Sequence, residues 1–169
     1  MRIVRFCILM FSVAMIMFFV GCEENPTSPD DEGTLQVKFQ LDGSWVQFSE
    51  TQSSASYNTL NNTTLINALD TLSGELFNLT IPGSAEDDWN IDDNDTLALL
   101  FVDNDNDTLM SYSELAGDGA ELSVEITFYG PVGGTVEGTF SGTLVNPSTM
   151  ETKSVTEGTF KVRRISDVE

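Results

Sequence analysis

Apolar side chains recur at every second position in the clearest stretches of this chain, and that period fits one kind of regular structure. Leu122, Val124, Ile126 and Phe128 alternate with Ser123, Glu125 and Thr127. Successive side chains project to opposite faces only in an extended strand, so this segment reads as a strand with one buried face. Leu35, Val37, Phe39 and Leu41 alternate with Gln36, Lys38 and Gln40 in the same way. Asp42-Gly43 follows. That dipeptide tolerates the positive φ needed at both central positions of a type I′ turn, so residues 45–48 are expected to return as a hairpin partner.

The remaining segments extend the pattern. Residues 65–69 and 76–81 are strand candidates, the second ended by Pro82-Gly83. Residues 97–102 form a continuous apolar run, as expected of a central strand buried on both faces. Residues 136–145 and 155–162 supply two more strands, separated by Asn146-Pro147-Ser148, and Gly130-Pro131-Val132-Gly133-Gly134 makes the turn before them. Residues 49–62 are rich in Ser, Thr and Asn and read as a loop. With roughly eight strands and no amphipathic helix, the expected class is all-β, an antiparallel β-sandwich.

The N-terminus follows a different logic. Arg2 and Arg5 precede an apolar or small-residue run over 6–20, closed by Phe19-Val20-Gly21-Cys22. The run falls short of the ~20 residues a spanning helix needs, and a small residue stands before the cysteine, as in a cleaved signal. The segment resembles a bacterial lipobox, with Phe19 where Leu is usual. The resemblance implies a lipoprotein signal peptide over 1–21, lipidation of Cys22 and a membrane anchor. A plain secretory signal or a single membrane anchor is the alternative. Residues 22–33, ending Glu23-Glu24-Asn25-Pro26-Thr27-Ser28-Pro29-Asp30-Asp31-Glu32-Gly33, are acidic and proline-bearing and read as a solvated tether. Residues 34–166 form the domain. Acidic residues directly after the cysteine also resemble signals that send some lipoproteins to the cell surface, while a merely soluble spacer explains them equally well.

Composition excludes several functions. The chain has 27 acidic and seven basic residues, a formal charge of −20. If Arg2 and Arg5 leave with the signal, five basic residues face 27 acidic ones and the charge becomes −22. Such a polyanion repels nucleic acid and anionic headgroups, and its electrostatic partners are divalent cations or basic surfaces. There is no histidine, which removes Ser-His-Asp and Cys-His catalysis and the commonest zinc ligand. Cys7 lies in the apolar run, so the domain itself has no disulfide.

The C-terminal strands carry a family resemblance. Tyr129-Gly-Pro-Val-Gly-Gly-Thr-Val-Glu-Gly-Thr-Phe-Ser-Gly-Thr-Leu144, followed by Thr156-Glu-Gly-Thr-Phe-Lys-Val162, resembles the end of an uncharacterised family of small β-sandwich lipoprotein domains from Bacteroidetes-type bacterial envelopes. With the opening strand and Asp42-Gly43, the likeness loosely covers residues 34–164. It implies a fold and a location in the envelope, at the outer membrane or cell surface. It carries over no functional residue.

Three patterns bear on chemistry. Asp103, Asp105, Asp107, Leu109, Ser111 and Glu114 stand at positions 1, 3, 5, 7, 9 and 12 of a segment that resembles an EF-hand calcium loop. Short carboxylates at alternate positions can turn toward one hard cation, the Leu109 carbonyl can add an oxygen, and Glu114 can close the shell. Thr108 occupies position 6, where the sharp turn favours glycine. The two readings are a calcium site that stabilises the fold and a solvated acidic turn. A second acidic group, Glu86, Asp87, Asp88, Asp92, Asp93 and Asp95, lies before the 97–102 run and is a separate cluster. Asp-Thr-Leu occurs three times, placing Thr71, Thr96 and Thr108 in a pattern that resembles bacterial O-glycosylation acceptors, although a three-residue motif also arises by chance in an Asp/Thr-rich chain. Of the two tryptophans, Trp89 sits among carboxylates and is the expected glycan-stacking residue, whereas Trp45, after a hairpin turn, reads as core or rim.

These readings converge on a lipid-anchored envelope protein, a non-enzymatic binding or structural module. The alternative is an accessory glycan-binding surface lipoprotein. The expected partners are the membrane, through the anchor, and a glycan or another envelope protein.

Overall fold

The computed structural model describes residues 33–169. The expected signal peptide over 1–21, Cys22 and all but the last residue of the expected tether lie outside the described residues. Eleven strands follow one another: β1 Gln36–Leu41, β2 Ser44–Ser49, β3 Ser53–Asn58, β4 Thr63–Leu69, β5 Leu76–Pro82, β6 Asp87–Asn90, β7 Ala98–Val102, β8 Thr108–Ser111, β9 Glu121–Tyr129, β10 Thr135–Val145 and β11 Thr152–Arg163. Two short 3-10 turns, Glu50–Gln52 and Ser113–Asp118, complete the regular structure. The class is all-β and every strand pairing is antiparallel.

One layer runs β6-β9-β10-β11-β1-β2 and the other β8-β7-β5-β4-β3. They are joined at both margins. The end of β10 meets β8 through the Val145–Met110 pair. Beyond β11 the chain continues alongside β3, forming parallel bridges at Ala55–Arg164 and Asn58–Val168. The result is a sandwich nearly closed into a barrel, and its ordered pairing reaches Val168, past the expected limit at 166.

The period-two pattern explains the core. Val37 and Phe39 of β1, Leu122, Val124 and Ile126 of β9, and Val136, Phe140 and Leu144 of β10 all face inward and are buried. Phe39 links the layers, with ring centroids 5.7 Å from Phe77 and 5.4 Å from Phe101, the latter edge-on. Phe140 lies 5.4 Å from Phe77. Such aromatic pairs contribute about 0.5–1.5 kcal/mol each beyond area burial. Room for these rings comes from small residues. A Cβ on inward-facing Gly138 would stand 2.1 Å from the Glu125 carbonyl oxygen and 2.4 Å from the Phe160 ring, so only glycine fits there.

Three strands depart from expectation. β3 falls within the segment read as a loop, because Ser53, Ala55 and Ser56 are buried but too small or polar to give an apolar signal. β6 is built from Asp87-Asp88-Trp89-Asn90, an edge whose backbone pairs despite its charges. β8 occupies the centre of the supposed calcium loop. β7 is central as expected, between β5 and β8. It is not buried on both faces: Leu99 and Phe101 are buried, whereas Ala98, Leu100 and Val102 on the outer side are only half-buried. No helix among the described residues is long and apolar enough to cross a membrane.

Candidate functional site

The outer face of the first layer carries a groove of about 740 Å³. Strand pairing builds it. Asp88 on β6 stands opposite Glu125 on β9, Glu125 opposite Thr139 on β10, Thr139 opposite Thr159 on β11, and Thr159 opposite Lys38 on β1. All five alternate with inward-facing neighbours, so they form one polar row across the sheet. At ~4.8 Å per strand the row from Asp88 to Lys38 spans about 19 Å. A second row holds Ser123 opposite Ser141, and Gln40 opposite Trp45 on β2.

Between these rows β11 bulges. Its pairing with both β1 and β10 shifts by one residue around Glu157, whose φ of 52° is left-handed. A bulge re-aims its side chain. The Glu157 carboxylate lines the groove and accepts a hydrogen bond from Gln40 Nε2 at 3.3 Å. At the far end Trp45 is 50% exposed, and the Lys38 ammonium lies 3.9 Å from its ring centroid. The indole thus presents an electron-rich face that already holds one cation.

Of the two tryptophans Trp45, read as core or rim, is the more exposed, and Trp89 is the more buried. Trp89 pairs with Val124, whose side chain faces the interior, so alternation turns the indole inward and packs it against the core. Trp45 is one position out of phase with half-buried Val46 and faces outward. The groove residues Lys38, Glu125, Thr139 and Thr159 carried no individual signal. They are ordinary outward positions of strands, and only the cross-strand pairing joins them.

The six residues of the calcium pattern are spread over the β7–β8 hairpin, β8 and the 3-10 turn that follows it. Asp103, Asp105 and Asp107 crowd the β7–β8 hairpin, where Asp103 Oδ1 accepts the backbone N–H of Asp105 and of Asp107, both at 2.9 Å. Its other oxygen lies 3.8 Å from Lys153 Nζ. Asn106, with φ 64°, is the left-handed residue of this hairpin, two positions before Thr108, where the calcium pattern favours glycine. Leu109 and Ser111 then belong to β8. Leu109 pairs with Phe101 in the core, and the buried Ser111 hydroxyl donates to the Glu121 carbonyl at 3.0 Å. Glu114 lies on the exposed 3-10 turn, accepting from the Ser113 hydroxyl. Among the described residues no group of three or more His, Cys, Asp or Glu side chains is placed to hold a metal ion.

No family model, curated protein or solved structure matches the chain. The three Asp-Thr-Leu threonines lie in different turns: Thr71 and Thr96 are exposed, and Thr108 is half-buried at the start of β8.

A separate polar cluster ties the two layers. Tyr129 at the end of β9 meets the Thr64 hydroxyl of β4 at 2.8 Å, and Thr64 donates to the Gly83 carbonyl at 2.7 Å. Burial raises the Tyr129 phenol above its ordinary pKa of 10.0, partly offset by the Thr64 hydrogen bond and by Arg164. The guanidinium of Arg164 lies 5.0 Å from the Tyr129 ring and donates to the Gly130 carbonyl at 3.0 Å. At the opposite rim, backbone hydrogen bonds from Leu72 lower the pKa of Asp70, which organises the β4–β5 turn.

Proposed function

We propose that this protein is a lipid-anchored, non-enzymatic binding module of the bacterial cell envelope, with the groove on its first layer as the binding surface. The observation that carries the reading is the continuous outward row from Asp88 to Lys38, bounded by Glu157 and the exposed Trp45. It offers acceptors, hydroxyls and one aromatic face across a shallow surface, which suits recognition more than the enclosed, water-poor setting of catalysis. The lack of histidine throughout the sequence supports the same side of the choice. Arg2, Arg5, the apolar run and Gly21-Cys22 support the anchor, and the resemblance of the C-terminal strands to envelope lipoprotein domains supports the location.

A second reading, an accessory glycan-binding lipoprotein, is favoured by one observation. Trp45 is half exposed beside a hydroxyl- and carboxylate-bearing surface, the combination that accepts a sugar's apolar face and its hydroxyls. The expected site for that ligand is Trp45 with Glu157 and Thr159, and the inward Trp89 plays a packing part. Two experiments test these readings. Cys22→Ser should release the protein from the membrane fraction or leave an uncleaved precursor; normal processing and retention would remove the anchor from the account. A glycan array with the wild type and Trp45→Ala should give a signal lost in the variant. An unchanged pattern would exclude Trp45 as the contact.

A further inference from the structure

Sheet edges are where an all-β protein must control its own main chain, because unpaired N–H and C=O groups template pairing with other chains. Three margins among the described residues are controlled. β6 is four residues long and carries Asp87 and Asp88. β8 is equally short and meets β10 at Met110. β3 is covered by the C-terminal tail: Ile165 N–H donates to the Ala55 carbonyl at 2.8 Å, Val168 N–H to the Tyr57 carbonyl at 2.8 Å, and Thr59 N–H to the Val168 carbonyl at 3.0 Å. β2 differs. It pairs with β1 alone, runs for six residues, and Ser44-Trp45-Val46-Gln47-Phe48-Ser49 contains neither a charge nor a proline.

The turn before β2 fixes which groups are free. Asp42 and Gly43 have φ of 47° and 81°, the two positive values of a type I′ turn. Leu41 and Ser44 close that turn and exchange both hydrogen bonds, after which alternate pairs do so along an antiparallel ladder. Ser44, Val46 and Phe48 therefore bond β1, and Trp45, Gln47 and Ser49 direct their main-chain groups away from it. The Ser49 N–H, consistent with this phase, donates to Gln52 Oε1 at 2.8 Å. Beside Trp45 and Gln47 no strand of the described residues is present.

A cleft of about 350 Å³ opens next to this edge. Leu41, Val46 and Phe101 give it apolar walls, while Asp42, Glu75 and Asp103 stand around it with Lys153 offsetting one carboxylate. An apolar wall with an acidic rim suits a long side chain that has a hydrocarbon stem and a cationic head. The formal charge of −20 makes two copies of the chain repel and draws basic segments in.

We propose that the free edge of β2 docks an extended, basic segment of a partner polypeptide. The segment adds as a strand along Trp45 and Gln47 and sets a Lys or Arg side chain into the cleft beside Leu41, Val46 and Phe101. Main-chain hydrogen bonds supply affinity and the cleft supplies selectivity. This surface goes beyond the groove, from which it differs in every lining residue except Trp45.

The test uses the full chain in detergent and a labelled peptide of alternating Lys and Thr, with a Glu-for-Lys counterpart as control. The lysine peptide should bind saturably and slow hydrogen exchange across residues 44–49, and the glutamate peptide should not bind. Gln47→Pro, which deletes an edge N–H without touching the β1 pairing, should weaken binding about tenfold, the size expected for one or two lost main-chain hydrogen bonds. Gln47→Ala should bind as the wild type does. Should Gln47→Pro fail to fold, the pair Asp42→Asn and Glu75→Gln decides: together they should weaken binding, whereas Asp92→Asn with Asp95→Asn should not. Equal binding of both peptides, wild-type affinity in Gln47→Pro, equal sensitivity to both charge pairs, or self-association through this edge without peptide capture would overturn the proposal.

Discussion

The edges of β3 and β2 are six residues long apiece and belong to the same sandwich, yet the chain treats them oppositely. Beside β3 the last residues return as a seal, locked at their start by Arg164. That guanidinium packs on Tyr129, donates to the Gly130 carbonyl and pairs with Asp167 at 2.7 Å. Beside β2 nothing comparable occurs among the described residues. Its hairpin is anchored from behind, where the Asp42 carboxylate accepts the Ser154 N–H at 2.8 Å and the Asp42 N–H reaches the Ser154 carbonyl at 2.9 Å. The difference teaches that closure here is selective. One edge contributes to stability, and the other leaves main-chain groups available at little stability cost.

Removing the seal should have the largest effect. A chain ending at Arg163 loses the bonds of Arg164, Ile165 and Val168 and the partner of Thr59. With five main-chain hydrogen bonds lost at 0.5–1.5 kcal/mol net each, urea denaturation should report a loss of about 2.5–7.5 kcal/mol. Sedimentation should reveal concentration-dependent association through the bared β3. Arg164→Ala keeps the tail but removes its lock, for about 2 kcal/mol, since hydrogen bonds from a charged donor contribute about 1.5–3. Arg164→Lys should recover little of that, because an ammonium cannot serve the ring, the carbonyl and Asp167 as a planar fork does.

Tyr129→Phe removes one hydroxyl from the interlayer cluster and should cost about 1 kcal/mol at neutral pH. It also predicts a pH signature. The folded phenol has its pKa raised, so it holds its proton more tightly than in the unfolded chain. Its contribution is complete below the ordinary pKa of 10.0 and is lost as pH rises through the folded value. Melting curves of the wild type should fall more steeply above pH 10 than those of Tyr129→Phe. The smallest effect belongs to the open edge. Gln47→Pro, on an edge where proline deletes no ladder hydrogen bond, should cost less than Thr59→Pro, which deletes a bonded N–H in the seal and should cost at least about 1 kcal/mol.

The contrast between the edges was only half legible in the sequence. The strands with clean alternation, β1, β9, β10 and β11, and the Asp42-Gly43 turn could be read directly, because apolar period and turn chemistry are local properties. β3 could not, since Ser53, Ala55 and Ser56 are buried through smallness and leave no apolar signature. The tail beyond residue 163 also gave no sign of its partner, because Ile165 and Val168 reach β3 through main-chain groups that every sequence possesses. The groove shares this limit. Asp88, Glu125, Thr139, Thr159 and Lys38 are far apart in the chain and meet only through pairing register. At the acidic hairpin the spacing of Asp103, Asp105 and Asp107 was legible, but whether Leu109 and Ser111 continue a loop or enter a strand depended on pairing with β7.

Residue-resolved hydrogen exchange on the full chain, without added partner, tests the asymmetry most directly. The amides of Thr59, Ile165 and Val168 should exchange slowly, as sealed groups with main-chain acceptors. Those of Trp45 and Gln47 should exchange fast, while Val46 and Phe48, bonded to β1, stay protected. Protection of Trp45 and Gln47 equal to that of Val46 and Phe48 would mean that the β2 edge is already covered, and would contradict the account.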